Sequence, residues 1–262
     1  MPVLVLDRSV RPLLIAVAVA LLIQPGAQDG SAQSQRSVDT ALILAIDVSN
    51  SVDARRYRLQ IEGIADALED PSVQAAILGG PRQAIAIGIV LWADRPRFSI
   101  PWVRIASAAD AADLAGKVRR LARQGGEFTC VAQMMRFVAD KITPQIPMPA
   151  ARIVLDVSGD GRENCNPEIA PAKLRDELVA IGLTINGLPI LEGSEGTVLA
   201  SWYRENVIGG PGAFVLPAQG FEDFGRAFRQ KFMTEISELP TVPARSPSRL
   251  TAAYTTVGHP RH

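Results

Sequence analysis

Residues 45–53 read Ala-Ile-Asp-Val-Ser-Asn-Ser-Val-Asp and overlap the end of the apolar run 41–46, Ala-Leu-Ile-Leu-Ala-Ile. Asp47, Ser49 and Ser51 thus place three oxygen-bearing side chains at alternate positions where the run predicts the end of a buried strand. Asp and Ser close turns and cap helices by bonding their own backbone. Hard oxygen donors gathered at a strand end also hold metal ions. The rest of the chain decides between the two.

Similar apolar runs bounded by turn residues predict strands over 41–46, 84–92, 97–105, 152–157, 184–190 and 213–216. Between the first two, Tyr57, Ile61, Ile64 and Leu68 recur with the spacing of one helical face. Helices are also expected over 108–123, 131–142, 167–181, 197–206 and 221–238. The short link 93–96 predicts a hairpin and one antiparallel edge strand; elsewhere strands alternate with helices. The expected class is α/β, a doubly wound, mostly parallel, Rossmann-like sheet. Such sheets bind ligands beyond the carboxyl ends of their strands, where 47–51 lies.

Arg8 and Arg11, the apolar run 13–23 and then Pro25-Gly26 with small residues follow the order of a secretory signal peptide, expected over 1–32 with cleavage after Ala27 or Ala32. The run is short for a span of about 20 residues, so a membrane is expected to matter only if the signal stays uncleaved. A periplasmic or secreted location follows. Residues 239–262, rich in Pro, Ser, Thr and Arg, read as a disordered tail.

Lys plus Arg and Asp plus Glu are 27 each, so no global field favours nucleic acid. The two histidines, His259 and His262, both fall in the tail. A Ser-His-Asp or Cys-His catalytic arrangement in the folded domain is thereby excluded, and imidazole-based zinc sites are disfavoured.

Three loops are expected at the carboxyl edge: 47–51, 125–129 (Gly-Gly-Glu-Phe-Thr) and 158–161 (Ser-Gly-Asp-Gly). Their hydroxyls and carboxylates suit Mg²⁺. Each loop alone has an ordinary reading: a turn, a helix cap at Thr129, a turn at Asp160-Gly161. Their joint order, each at a strand-to-helix transition, favours the metal. Trp92, Trp102, Trp202 and Tyr203 read as packing residues, and Arg119, Arg120 and Arg123 as a solvated helix face.

Asp47-x-Ser49-x-Ser51, Thr129 and Asp160-Gly161 together resemble the metal-ion-dependent adhesion site (MIDAS) of von Willebrand factor type A domains, over about residues 40–238. Within that superfamily, 156–161 (Asp-Val-Ser-Gly-Asp-Gly) and 205–214 (Glu-Asn-Val-Ile-Gly-Gly-Pro-Gly-Ala-Phe) resemble an uncharacterised family of exported bacterial members. The resemblance implies Mg²⁺, with Mn²⁺ or Ca²⁺ as alternatives. Ser49 and Ser51 would ligate directly, Asp47 and Asp160 mainly through water, and Thr129 directly in a high-affinity conformation. One position would stay open for an Asp or Glu of a protein partner. The chain departs from the family pattern at Glu127, Phe128 and Cys130, which flank the threonine. Asp156, inside an apolar strand, reads as a buried carboxylate and ranks below Asp160 as a ligand.

The resemblance would make the loops bearing Cys130 and Cys165 neighbours. An even cysteine pair in an exported protein favours a disulfide between them, with two buried thiols as the alternative. A haloacid-dehalogenase-like phosphatase shares the strand-end aspartate and the Gly-Asp-Gly loop. It needs a second aspartate where Ser49 stands, to exchange the proton. A metal-free interaction scaffold is the third alternative.

Overall fold

The computed structural model describes residues 37–194 and 196–237. The expected signal peptide and the tail from 239 lie outside them. Five strands form one sheet: β1 (Val38–Asp47), β2 (Ile85–Trp92), β3 (Arg97–Ile105), β4 (Ala150–Gly159) and β5 (Leu183–Pro189), in the order β3-β2-β1-β4-β5. β1 lies parallel between β2 and β4, β5 is parallel to β4, and β3 pairs antiparallel with β2 at the edge. The α/β class, the hairpin and the antiparallel edge strand are therefore as expected.

Every residue of β1 and β2 is buried, as strands covered on both faces require. Leu42, Leu44 and Ile46 serve one core and Ile43 and Ala45 the other. Over the first core lie α1 (Ala54–Glu69), α2 (Pro71–Gly79), α3 (Ala108–Arg119) and α7 (Phe224–Ser237). Over the second lie α4 (Val131–Phe137, continued by a π turn Val138–Ile142), α5 (Pro171–Ala180) and α6 (Gly196–Asn206).

Four points differ from expectation. Helix α2 was not expected, although Asp70-Pro71 is a start signal: Asp70 Oδ1 accepts from the N–H groups of Ser72 (2.8 Å) and Val73 (3.3 Å), and proline occupies the first turn. The helix expected over 108–123 ends at Arg119, and that expected over 167–181 starts at Pro171. The segment 213–216 is no regular strand. It follows β5 through isolated bridges, because Pro217 has no N–H and the Phe214 N–H is taken by Asn186 Oδ1 at 3.1 Å.

Asp156 is buried, as expected, and faces α7. Lys231 Nζ lies 2.5 Å from its Oδ1 and also pairs with Glu235, which accepts from Asn186 Nδ2 at 2.8 Å. Two carboxyl groups thus share one buried ammonium. Burial pushes Asp156 up and holds Glu235 at about 7, with Asp156 adding to the rise at Glu235 and Lys231 opposing both.

Candidate metal centre

The parallel strands β1 and β4 end side by side, which brings the first and third loops together. Ser51 Oγ donates to Asp160 Oδ1 at 2.7 Å. Ser49 Oγ and Ser51 Oγ are 3.2 Å apart, and Thr129 Oγ1 donates to Ser49 Oγ at 3.4 Å. Asp160, Ser51, Ser49 and Thr129 form a continuous row of oxygens from three loops. Asp47 lies fully buried beside them. Its Oδ1 accepts the Ser49 N–H at 2.7 Å, whereas its Oδ2 has no hydrogen-bond partner.

That orphan oxygen is the physical anomaly of the site, since buried carboxylate oxygens are ordinarily paired. Burial pushes Asp47 up to about 7, and the nearby Asp160 carboxylate adds to the effect against the Ser49 hydrogen bond. Asp160 is raised by burial too, opposed by the Ser51 hydroxyl and by Arg56. Tyr203, buried nearby, is pushed well up by burial and then by the Asp47 and Asp160 charges. A small cation would satisfy such an arrangement.

Space is reserved as well. A Cβ at Gly159 would fall 2.8 Å from Asp47 Oδ2 and 3.0 Å from Tyr203 Oη, and one at Gly161 would meet Thr129 Oγ1 at 3.2 Å. The donor set is two carboxylates and three hydroxyls, all hard oxygens, and fits an Mg²⁺-type ion better than a thiophilic one. Among the described residues no group of three or more His, Cys, Asp or Glu could hold a metal. The hydroxyls would therefore have to contribute.

Several residues the sequence reading did not assign hold the first loop. Gln60 Nε2 donates to the Asp47 carbonyl at 3.1 Å, and Arg56 Nη1 to the Ser51 carbonyl at 2.6 Å. Arg123 is exposed, as expected of a solvated residue, but it lies beyond the end of α3, and its Nη2 reaches the Ser49 carbonyl at 3.2 Å, bracing the first loop. Arg119 likewise pairs with Glu62, Asp66 and Glu69 of α1. A clue to Gln60 was available: it is a polar residue inside the apolar stripe of α1.

The second and third loops are clamped to each other. Cys130 and Cys165 form a disulfide, as expected. Thr129 does not cap α4 with its side chain. Instead Glu163 Oε2 accepts the Ala132 N–H at 2.8 Å, capping the helix from the neighbouring loop. Glu163 Oε1 accepts from the N–H groups of Cys165 and Asn166 at 3.0 and 3.1 Å.

A family model described as "Protein of unknown function (DUF1194)" matches residues 37–240. No curated protein matches the sequence. Proximal thread matrix protein 1 from the mussel byssus is similar in structure, with a TM-score of 0.57 at 12% identity over 76% of this chain and 47% of that one. A structure of the same mussel protein with a zinc-occupied MIDAS motif gives 0.54 at 15%, over 78% and 47%. The vWF domain of the type V pili tip protein Mfa5 from Porphyromonas gingivalis gives 0.54 at 11%, over 76% and 95%. The match spans less than half of the mussel chain. At these identities the likeness shows the fold, which is that of von Willebrand A domains. With the family model covering its whole described portion, the chain belongs to the DUF1194 family and is built on a von Willebrand A fold.

Proposed function

We propose that this domain is an exported, metal-dependent protein-binding module. Asp47, Ser49, Ser51, Thr129 and Asp160 would hold Mg²⁺, and a partner's Asp or Glu would complete the coordination. The observation that carries this reading is the buried, unpartnered Asp47 Oδ2 beside a row of hard oxygens drawn from three loops. The bound ion would supply positive charge at the open edge of the sheet, and hydroxyl ligands leave that charge largely unneutralised.

Two features support the interaction reading over catalysis, and two more support the cation and the location. The site lies on an edge, while a surface concavity of about 480 Å³ lies elsewhere, over β3 and α3, lined by Ile100, Trp102, Lys117 and Arg120 among others. Ser49, where a phosphatase would need its second carboxyl, is hydrogen-bonded within the oxygen row. The mussel relative carries zinc in its MIDAS motif, which supports a cation at the equivalent loops. The Cys130–Cys165 disulfide supports an oxidising, extracytoplasmic location.

Calorimetric titration of Mg²⁺ or Mn²⁺ tests the proposal. One site is expected in the wild type, lost in Asp47→Ala and Asp160→Ala. No binding at millimolar ion, with the domain folded, refutes it. Hydrolysis of p-nitrophenyl phosphate abolished by Asp47→Asn would support the phosphatase instead.

A further inference from the structure

Among the described residues three large hydrophobic side chains stand exposed: Phe128 at 42%, Ile169 at 43% and Val198 at 46%. Each lies at the amino end of a helix. Phe128 precedes α4, Ile169 precedes α5 and Val198 lies in the first turn of α6. These three helices share one face of the sheet, α4 packing on α5 and α5 on α6. Their amino ends line the same carboxyl edge that carries the candidate metal centre.

The chain ties this line to the site. Phe128 is the neighbour of Thr129, whose N–H is held by Asn164, and the Cys130–Cys165 bridge joins the two loops. From Cys165 the chain turns back, the Ile169 N–H donating to the Asn166 carbonyl at 3.2 Å. The opposite rim of the site differs in kind. There Arg55 pairs with Glu222 and Arg56 with Glu192, so its charges are satisfied internally.

Two charges on the apolar side are not. Glu127 and Glu168 are exposed and adjoin Phe128 and Ile169 in sequence. Among the described residues neither carboxylate is in an ion pair or a side-chain hydrogen bond, and each contributes only its backbone N–H, to Asp94 and Asn166 respectively.

We propose that Phe128, Ile169 and Val198 form an apolar rail, bordered by Glu127 and Glu168, that selects an extended segment of another protein carrying three features in a row. These are a carboxylate for the metal centre, aliphatic or aromatic side chains beside it for the rail, and a Lys or Arg for the bordering glutamates. The proposal deepens the metal-module reading and rests on it. Charge complementarity argues for this occupant: the cation calls for an acid, and the unpaired glutamates a few residues away call for a base. An all-acidic segment would be repelled by Glu127 and Glu168. A purely apolar one would leave the metal unsatisfied. An open rail without a deep pocket suits an extended chain.

A phage-displayed random dodecapeptide library, selected on the whole exported protein with Mg²⁺ and in parallel with EDTA, tests this. The expected Mg²⁺-dependent binders carry Asp or Glu next to apolar residues and a Lys or Arg beyond. A synthetic peptide of the enriched sequence should bind Phe128→Ser/Ile169→Ser at least tenfold more weakly, with calorimetric Mg²⁺ affinity unchanged. Glu127→Lys/Glu168→Lys should shift selection toward acidic flanks. Unchanged peptide affinity in the serine variant overturns the rail while leaving the metal module standing; absent Mg²⁺ binding by calorimetry overturns both. Failure to enrich any sequence over the EDTA control overturns the rail. So does Mg²⁺-dependent self-association abolished by the same serine pair, which assigns the face to a second copy of this chain.

Discussion

Thr129 and Asn164 are joined twice: the Thr129 N–H donates to Asn164 Oδ1 at 2.8 Å, and the Asn164 N–H donates to the Thr129 carbonyl at 3.1 Å. The pair works like one rung of a ladder between the second and third loops. With the disulfide one residue further on each strand of chain and the Glu163 cap beyond, Thr129 Oγ1 is presented to Ser49 by a rigid clasp. Preorganisation of this kind lowers the ordering cost of binding an ion.

Asn164→Ala removes the acceptor for the Thr129 N–H and leaves that donor in a part-buried position. A loss of about 1–2 kcal/mol in stability is expected by chemical denaturation. Cation affinity should fall several-fold by calorimetry, because the threonine hydroxyl loses its fixed position. Equal affinity in the two proteins would show that the clasp has no part in binding.

The disulfide closes a loop with a sequence separation of 35. On the chain-entropy model this contributes roughly 3–4 kcal/mol. Non-reducing digestion and mass spectrometry should recover the two cysteine peptides linked. Reduction should lower both the denaturation midpoint and cation affinity. Recovery of two alkylatable thiols from unreduced protein would refute the bridge.

Without a cation, Asp47 is a liability to the fold. Its folded value of about 7 lies above the ordinary carboxyl range, so the native state holds a proton that the unfolded chain has released. Stability from this group is full below the unfolded value, near pH 4, and is lost as pH rises toward 7. Asp47→Asn keeps an oxygen for the Ser49 N–H while removing the charge. At pH 7 and in EDTA it should stabilise the domain by a few kcal/mol at most, because each tenfold difference in proton affinity between the folded and unfolded chain is worth about 1.4 kcal/mol. Cation binding should disappear in the same variant. A destabilised Asp47→Asn in EDTA would contradict this account.

The buried Asp156–Lys231–Glu235 group has the same sign. Both carboxyls are raised, Glu235 to about 7, so stability should decline as pH rises from about 4.5 through 7. Glu235→Gln should flatten that decline, measured as midpoint against pH in EDTA. Lys231→Met leaves two carboxyl groups facing each other without a cation and should cost about 3–5 kcal/mol at neutral pH.

What the chain order alone made legible was local and periodic. The apolar runs 41–46 and 84–92 read as buried strands, the link 93–96 as a hairpin, and the spacing of Tyr57, Ile61, Ile64 and Leu68 as the buried face of α1. The first and third oxygen-rich loops read as strand termini, and a parallel sheet places its carboxyl ends on one edge, so their meeting followed from the order of elements; the loop 125–129, expected at a strand-to-helix transition, instead joins α3 to α4 and was brought to them by folding. The cysteine pairing became legible once those loops were taken as neighbours. Tertiary structure decided what depends on contacts between distant segments. Gln60 and Arg123 are ordinary residues until folding sets them against the carbonyls of Asp47 and Ser49, and Glu163 caps a helix it does not belong to. Lys231 sits on a helix that reads as amphipathic, yet its charge lies inside because Asp156 and Glu235 are there to meet it. Residues 213–216 have a strand's composition, but an Asn186 side chain and a missing proline N–H take away the regular ladder. Periodicity and turn chemistry act over a few residues and are written in the chain. Satisfying a buried charge or a free N–H is settled only when the whole chain has folded around it.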